Sequence, residues 1–331
     1  MMTSKTGTRR ARQACAVATL ILASTVACEN TPSESNVDSE SSVPRPDRPQ
    51  VALVMKSLAN EFFQTMEDGA RAHQQQQPER YSLIAEGIKD ELDLTRQIDL
   101  IEQMVARDVD AIVIAPADSR ALVAAGARAI EAGVTVVNID NRLDEATLDE
   151  RGLNIPFVGP DNRGGARQAG EILGHTLRPG DEVGIIEGAP GAFNAIERRL
   201  GFEDAMRDAG MIIVASQSGY WEMDRANQVA SALLLAHPNL KALLCANDSM
   251  ALGAVAAIRA AGKLGDIAVI GFDNISAVQT LVRDGTVLAT VDQHADQIAV
   301  NGIEYALAIL DGRQVPEDLQ TPVTLVTDPA Q

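Results

Sequence analysis

The sequence predicts an α/β protein built from two doubly wound lobes, each a parallel sheet covered by helices on both faces. Three observations carry this expectation. The chain has 331 residues, beyond the roughly 100–200 of a typical single domain. From Gln50 onward, short unbroken apolar runs alternate with stretches of helical periodicity. The same alternation then repeats in the second half of the chain, and unbroken apolar strands separated by helices belong to parallel sheets buried on both faces.

In the first half, strands are expected at 51–55, 81–85, 111–115, 134–140 and 156–159. Between the second and third lies a helix over 92–107, where Leu94, Ile98, Ile101 and Val105 fall on one face. In the second half, strands are expected at 182–187, 211–217, 242–247, 267–272 and 288–292. Helices are expected at 162–176, 195–209, 224–236, 249–261 and 295–310. The run Glu187-Gly188-Ala189-Pro190-Gly191 lacks the Lys-Ser/Thr of a P-loop and the spacing of G-x-G-x-x-G, so it reads as a tight strand-to-helix turn.

The N-terminus has a different character. Arg9, Arg10 and Arg12 precede an apolar run over 14–23 and then Ser24-Thr25-Val26-Ala27-Cys28, the three regions of an export signal. That run is too short for a stable membrane anchor. Cleavage before Cys28 leaves a terminal thiol and resembles a bacterial lipoprotein signal; ordinary cleavage after Ala27 fits Thr25 and Ala27 nearly as well. Residues 28–49, rich in Ser, Pro, Asp and Glu, read as a disordered tether that lets an anchored domain stand off the membrane. Cys245 lies in an apolar strand, so a disulfide to Cys28 is implausible and acylation of Cys28 is favoured.

With 28 Lys+Arg against 46 Asp+Glu, the net charge of −18 argues against nucleic-acid binding. The four histidines (His73, His175, His237 and His294) have no metal-ligand spacing, and no nucleophile motif is present. No metal, no cofactor and no catalysis are therefore expected.

Ligands of doubly wound sheets sit beyond the carboxyl ends of strands. Several polar residues meet that test: Lys56 and Asn60 after the first strand, Asp140 at the fourth, and Asn247, Asp248, Asp273 and Gln293 at strand ends of the second half. Aromatics are only 3% of the chain, so Phe62-Phe63 and the single Trp221 stand out. Neighbouring helical positions diverge, so either one Phe faces the core and the other a cleft, or both are core aromatics at a helix start. Flat rings beside carboxylates and amides suit a sugar.

The segment from Val51 to Phe63 resembles the opening of periplasmic ribose-type sugar-binding proteins of ABC transporters, the type I periplasmic binding fold. The likeness continues through Ala195-Ile196-Glu197-Arg198-Arg199-Leu200-Gly201-Phe202, Ala215-Ser216-Gln217, Asn247-Asp248-Ser249-Met250-Ala251-Leu252-Gly253 and Gly271-Phe272-Asp273. It implies ligand contacts from Asn60, Phe62, Phe63 and Asp140 in the first lobe, and from Arg198, Trp221, Asn247, Asp273 and Gln293 in the second. It also implies a three-strand hinge, with crossings near 158–161, 293–294 and 321–324. The lobes are then 50–158 plus 294–321, and 159–293 plus 322–331. Lys56 stands where ribose binders carry a small hydroxyl residue, and Asn141 where they carry Arg. With Val137-Asn138-Ile139-Asp140 and Trp221, these departures resemble the allose-binding branch and point to a hexose or related polyol; the alternative is that Lys56 merely pairs with a cleft carboxylate.

The function that follows from the resemblance is a monomeric periplasmic receptor that closes on a monosaccharide and presents it to an ABC transporter permease, touching the membrane only through a lipid on Cys28. A transcription regulator needs an N-terminal helix-turn-helix where this chain has a signal and tether. A Rossmann-type enzyme needs the missing dinucleotide fingerprint. A sensory receptor presenting a sugar or signalling furanose to a chemotaxis or kinase partner stays open as the alternative.

Overall fold

The computed structural model describes residues 48–316 and 318–327. The export signal, Cys28 and nearly all of the tether lie outside the described residues. Twelve strands and ten helices alternate along the described chain. The first half holds β1 (Gln50–Ser57), α1 (Glu61–Gln76), β2 (Ser82–Ile88), α2 (Leu94–Ala106), β3 (Ala111–Ile114), α3 (Val123–Glu131), β4 (Thr135–Ile139), α4 (Glu145–Glu150) and β5 (Phe157–Pro160). The second holds α5 (Asn162–Thr176), β6 (Glu182–Glu187), α6 (Phe193–Asp208), β7 (Ile212–Ser218), α7 (Met223–Ala236), β8 (Leu240–Cys245), α8 (Asp248–Ala260), β9 (Ala268–Ile270), α9 (Ser276–Arg283) and β10 (Ala289–Asp292). Then come α10 (Ala295–Leu310), β11 (Asp318–Thr321) and β12 (Thr324–Thr327).

These strands form two six-stranded sheets, ordered β11-β5-β4-β3-β1-β2 and β12-β10-β9-β8-β6-β7. The apolar runs explain why. In β1, Val51, Leu53 and Met55 join one buried cluster while Ala52 and Val54 join another on the opposite face. In β8, Leu243 and Cys245 point one way and Ala242 and Leu244 the other. A strand apolar on both faces is stable only between two helix layers. Helix α10 follows β10 of the second sheet but packs on α1, β3 and β4, returning the chain to the first lobe.

All pairings of the first sheet are parallel. The second sheet departs from expectation at one edge, where β12 runs antiparallel to β10. The cause is the third crossing. Strand β11 is parallel to β5 and so runs toward the cleft; continuing straight across, the chain enters the second sheet from its cleft end. It then points opposite to every other strand there.

In both sheets the order reverses beside the first strand of the lobe: β1 lies between β2 and β3, and β6 between β7 and β8. That reversal opens a crevice at the carboxyl ends of the strands.

Candidate functional site

The two crevices face each other across a shared cavity. The first lobe contributes Lys56, Asn60, Phe62, Phe63, Glu91 and Asp140; the second contributes Asn194, Arg198, Trp221, Asn247, Asp273 and Gln293. All the expected ligand contacts are here except Asn141; Asp248, which also met the strand-end test, lies outside the lining and accepts from Thr290 Oγ1 at 2.8 Å and Ile275 N at 2.9 Å.

Local structure aims each group. Asn60 caps α1, its Oδ1 accepting from Phe62 N at 3.1 Å, which starts the helix and sets both phenylalanines at the cavity wall. Asn247 caps α8 in the same way, accepting from Met250 N at 2.8 Å. Phe62 and Phe63 meet edge to face, with ring centres 5.0 Å apart. Both line the cavity and both belong to the core, so the expected division of one inward and one outward ring is not observed. Lys56 lies inside β1, which runs to Ser57, two residues beyond the expected end.

Three lining residues have left-handed backbones: Asp140 (φ 62°), Trp221 (φ 69°) and Asp273 (φ 127°). Such conformations cost about 1–3 kcal/mol each and persist where the surroundings impose them. Here they do: Asp140 N donates to Val158 O, Asp273 N donates to Val291 O, and Trp221 O accepts from Asn247 Nδ2.

The charged groups form two clusters. On the first lobe, Lys56 Nζ lies 2.9 Å from Asp140 Oδ2 and 3.6 Å from Glu91 Oε2. Burial opposes the lysine charge, but Asp140 and Glu91 together outweigh it and raise the ammonium pKa. Burial pushes the Glu91 carboxyl up to about 7, against the pull of Lys56. On the second lobe, the Arg198 guanidinium stacks 3.9 Å from the Phe272 ring centre. It donates to Asn162 Oδ1 (2.8 Å), Ala246 O (2.9 Å) and Gln293 Oε1 (2.8 Å). Asp273 Oδ1 accepts from Gln293 Nε2 at 2.6 Å, and burial holds its carboxyl well above the usual range despite Arg198. Trp221 sits between the clusters, 5.9 Å from Lys56 Nζ and 5.6 Å from the Arg198 guanidinium.

Opposite charges are thus paired within the chain, which favours a neutral ligand. Three buried atoms at this wall nevertheless have no hydrogen-bond partner: Glu91 Oε2, Asn194 Oδ1 and Trp221 Nε1. Among them are acceptors and a donor, and leaving each unmatched costs about 1–3 kcal/mol. A molecule with many hydroxyls, each both donor and acceptor, matches that set.

Asn141 is a correction. Its Nδ2 donates to Pro116 O at 2.8 Å and its Oδ1 accepts from Asn194 N at 3.1 Å, so it joins the lobes beside the cavity and does not line it. Close by, Ser119 N donates to Gly191 O and Phe193 N donates to Ser119 Oγ, each at 2.9 Å. Across the cleft, Glu61 accepts from Ser276 N and Oγ at 2.8 and 2.9 Å. These contacts bring the lobes together, and of their residues only Asn194, through its backbone nitrogen, also lines the cavity.

Glu91 and Asn194 line the cavity but were not expected there. Glu91 lies just past β2, so the strand-end test would have found it had the strand been drawn to Ile88.

Residues 51–314 match the family described as periplasmic binding protein domain. A Pseudomonas aeruginosa protein named D-ribose/D-allose-binding protein is 56% identical over 289 residues, covering 86% of this chain and 90% of that one. The D-allose-binding periplasmic protein of Escherichia coli is 34% identical over 281 residues, 84% of this chain and 90% of its own. Among solved structures, an Actinobacillus succinogenes ABC transporter periplasmic solute-binding protein with bound D-allose superimposes with TM-score 0.80 at 34% identity, covering 84% of this chain and 97% of that one. A Burkholderia multivorans solute-binding protein reaches TM-score 0.83 at 56% identity, covering 85% and 99%. The chain belongs to the periplasmic binding protein family.

Proposed function

We propose that the chain is the extracytoplasmic solute-binding component of a sugar ABC transporter, binding one neutral monosaccharide between its lobes. The observation that carries this reading is the cavity wall itself. It combines internally paired charges, three aromatic rings and three buried polar atoms without partners, drawn from both lobes. Such a wall is fully formed only when the lobes meet, so a ligand that touches both stabilises the closed form. The binding residues in this reading are Lys56, Asn60, Phe62, Phe63, Asp140, Arg198, Trp221, Asn247, Asp273 and Gln293.

A hexose such as D-allose is the proposed ligand, supported by Lys56 and by relatives named for D-allose. The hinge crossings, the lobe boundaries drawn from them, the permease partner, the monomeric state and a lipid on Cys28 belong to the same proposal. A thermal-shift titration with D-allose, D-ribose and myo-inositol tests it. A ligand that binds only the native state raises the midpoint with concentration. Asp273→Ala is expected to abolish the shift. No shift with any sugar or polyol would remove the central claim.

A further inference from the structure

Glu91 stands on the loop between β2 and α2, is 5% exposed and lines the cavity beside Lys56. The two groups are paired but not in hydrogen-bond contact. Lys56 Nζ is committed to Asp140 Oδ2 at 2.9 Å, while Glu91 Oε2 is 3.6 Å away and has no hydrogen-bond partner. An isolated carboxylate oxygen is costly when buried, and here a cation stops just short of it.

We propose that Glu91 is a specificity-determining ligand contact: one ligand hydroxyl bridges Lys56 and Glu91, accepting from the ammonium and donating to the carboxylate. This rests on the sugar-binding reading above. The geometry allows it, because two atoms 3.6 Å apart can each lie about 2.8 Å from one oxygen, with an angle of about 80° between them. Only a group that both donates and accepts meets the two demands at once. A hydroxyl does, whereas a ring oxygen or a methyl does not.

The pair lines the cavity from the first-lobe side. The ring hydroxyls are left to Asp140 on that lobe and to Arg198, Asp273 and Gln293 on the second. The hydroxyl at the Lys56–Glu91 gap is therefore the exocyclic one of a hexopyranose, whose rotating arm can orient its proton toward Glu91. A pentopyranose has no such arm. Lys56 alone would tolerate any acceptor there, so it is the carboxylate that makes the position selective for a hydroxyl.

The test is a double cycle by titration calorimetry on the purified chain, crossing Glu91→Gln with D-allose against 6-deoxy-D-allose and adding D-ribose as a reference. The wild type should lose roughly 10- to 100-fold in affinity on removal of the sixth-carbon hydroxyl, the range for a charge-assisted hydrogen bond. Glu91→Gln should bind D-allose at least about 10-fold more weakly and distinguish the two hexoses far less than the wild type does. The melting midpoint without sugar reports whether the variant folds. If it does not fold, Glu91→Asp withdraws the carboxylate by one methylene with its charge intact and should show the same loss of discrimination. A variant that still discriminates the hexoses as the wild type does, or binds D-allose equally well, overturns the inference and leaves the sugar-binding reading standing. A wild type that binds none of the three sugars overturns both.

Discussion

Gly188 supports the binding site without touching a ligand. It follows β6, and a Cβ built on it would lie far inside van der Waals distance of three carbons of the Trp221 indole. No positive φ is involved, so alanine meets no backbone objection and the whole effect falls on the ring. To restore carbon–carbon contact near 3.5 Å the indole must retreat by more than about 1 Å. It cannot do so by sliding with its backbone. Trp221 is pinned in a left-handed conformation, with its carbonyl held by Asn247 and the turn closed by Glu222 N on Gly219 O. Gly188→Ala therefore costs about 1–3 kcal/mol by overpacking, much of it paid by the cavity wall. Since 1.4 kcal/mol is tenfold in affinity, sugar binding should weaken by about 5- to 150-fold. The assay is direct because Trp221 is the only tryptophan: its emission should shift in the unliganded variant, and the sugar-induced change should need correspondingly more ligand. Wild-type emission together with wild-type affinity in Gly188→Ala would refute the reasoning.

Two further outcomes follow from the contacts between lobes and from the buried carboxyls. Ser119→Ala removes the acceptor of Phe193 N, an interaction available only when the lobes meet. The closed state should lose about 0.5–1.5 kcal/mol, giving a 2- to 12-fold weaker apparent affinity, with a larger radius of gyration for the unliganded chain in X-ray scattering. The same affinity and the same radius would show that this contact does not bias closure. For Glu91, burial raises the carboxyl from 4.5 to about 7. Its contribution to stability is therefore fully present below pH ~4.5 and is lost as pH rises through ~7, by up to about 3 kcal/mol. Urea unfolding of wild type and Glu91→Gln at pH 5 and pH 8 reads this: the wild type should lose more stability than the variant, and parallel losses would mean that Glu91 titrates normally. Lys56, Asp140, Glu222 and Arg198 are the charged groups acting on Glu91 or acted on by it, and they are unchanged in that comparison.

The sequence made the framework legible because each parallel strand announces itself twice, through apolar residues on both faces and through a helix on either side. It failed where those signals are weak. Residues of β2 from Ser82 to Gly87 are only half-buried, so the apolar run ends early and Glu91 falls outside the strand-end test. Helix α6 starts without a side-chain cap, which left Asn194 outside the expected helix and unnoticed. Strand β12 has no helix before it, and its reversed direction follows from a crossing that local pattern cannot encode. Asn141 was placed at the site because it stands where ribose binders carry Arg. The left-handed backbone of Asp140 turns the chain there, and the next side chain is sent to Pro116 and Asn194 instead.

Backbone strain, buried charge and interlobe contact divide the work of binding between parts that move and parts that do not. Asp140 and Asp273 are each strained, and each is pinned by a hydrogen bond from its own nitrogen to a strand of its own lobe. Arg198 is anchored to Asn162, Ala246 and Gln293, all of the second lobe. Opening the cleft therefore leaves each half of the wall assembled, and little binding energy is spent on ordering side chains. What opening breaks are the contacts of Ser119, Asn141 and Glu61 with the facing lobe, none of which lines the cavity. Selectivity among sugars and closure are thus set by different residues. Substitutions at the interlobe contacts should scale the affinities of all sugars together, while substitutions at Lys56 or Glu91 should change their order.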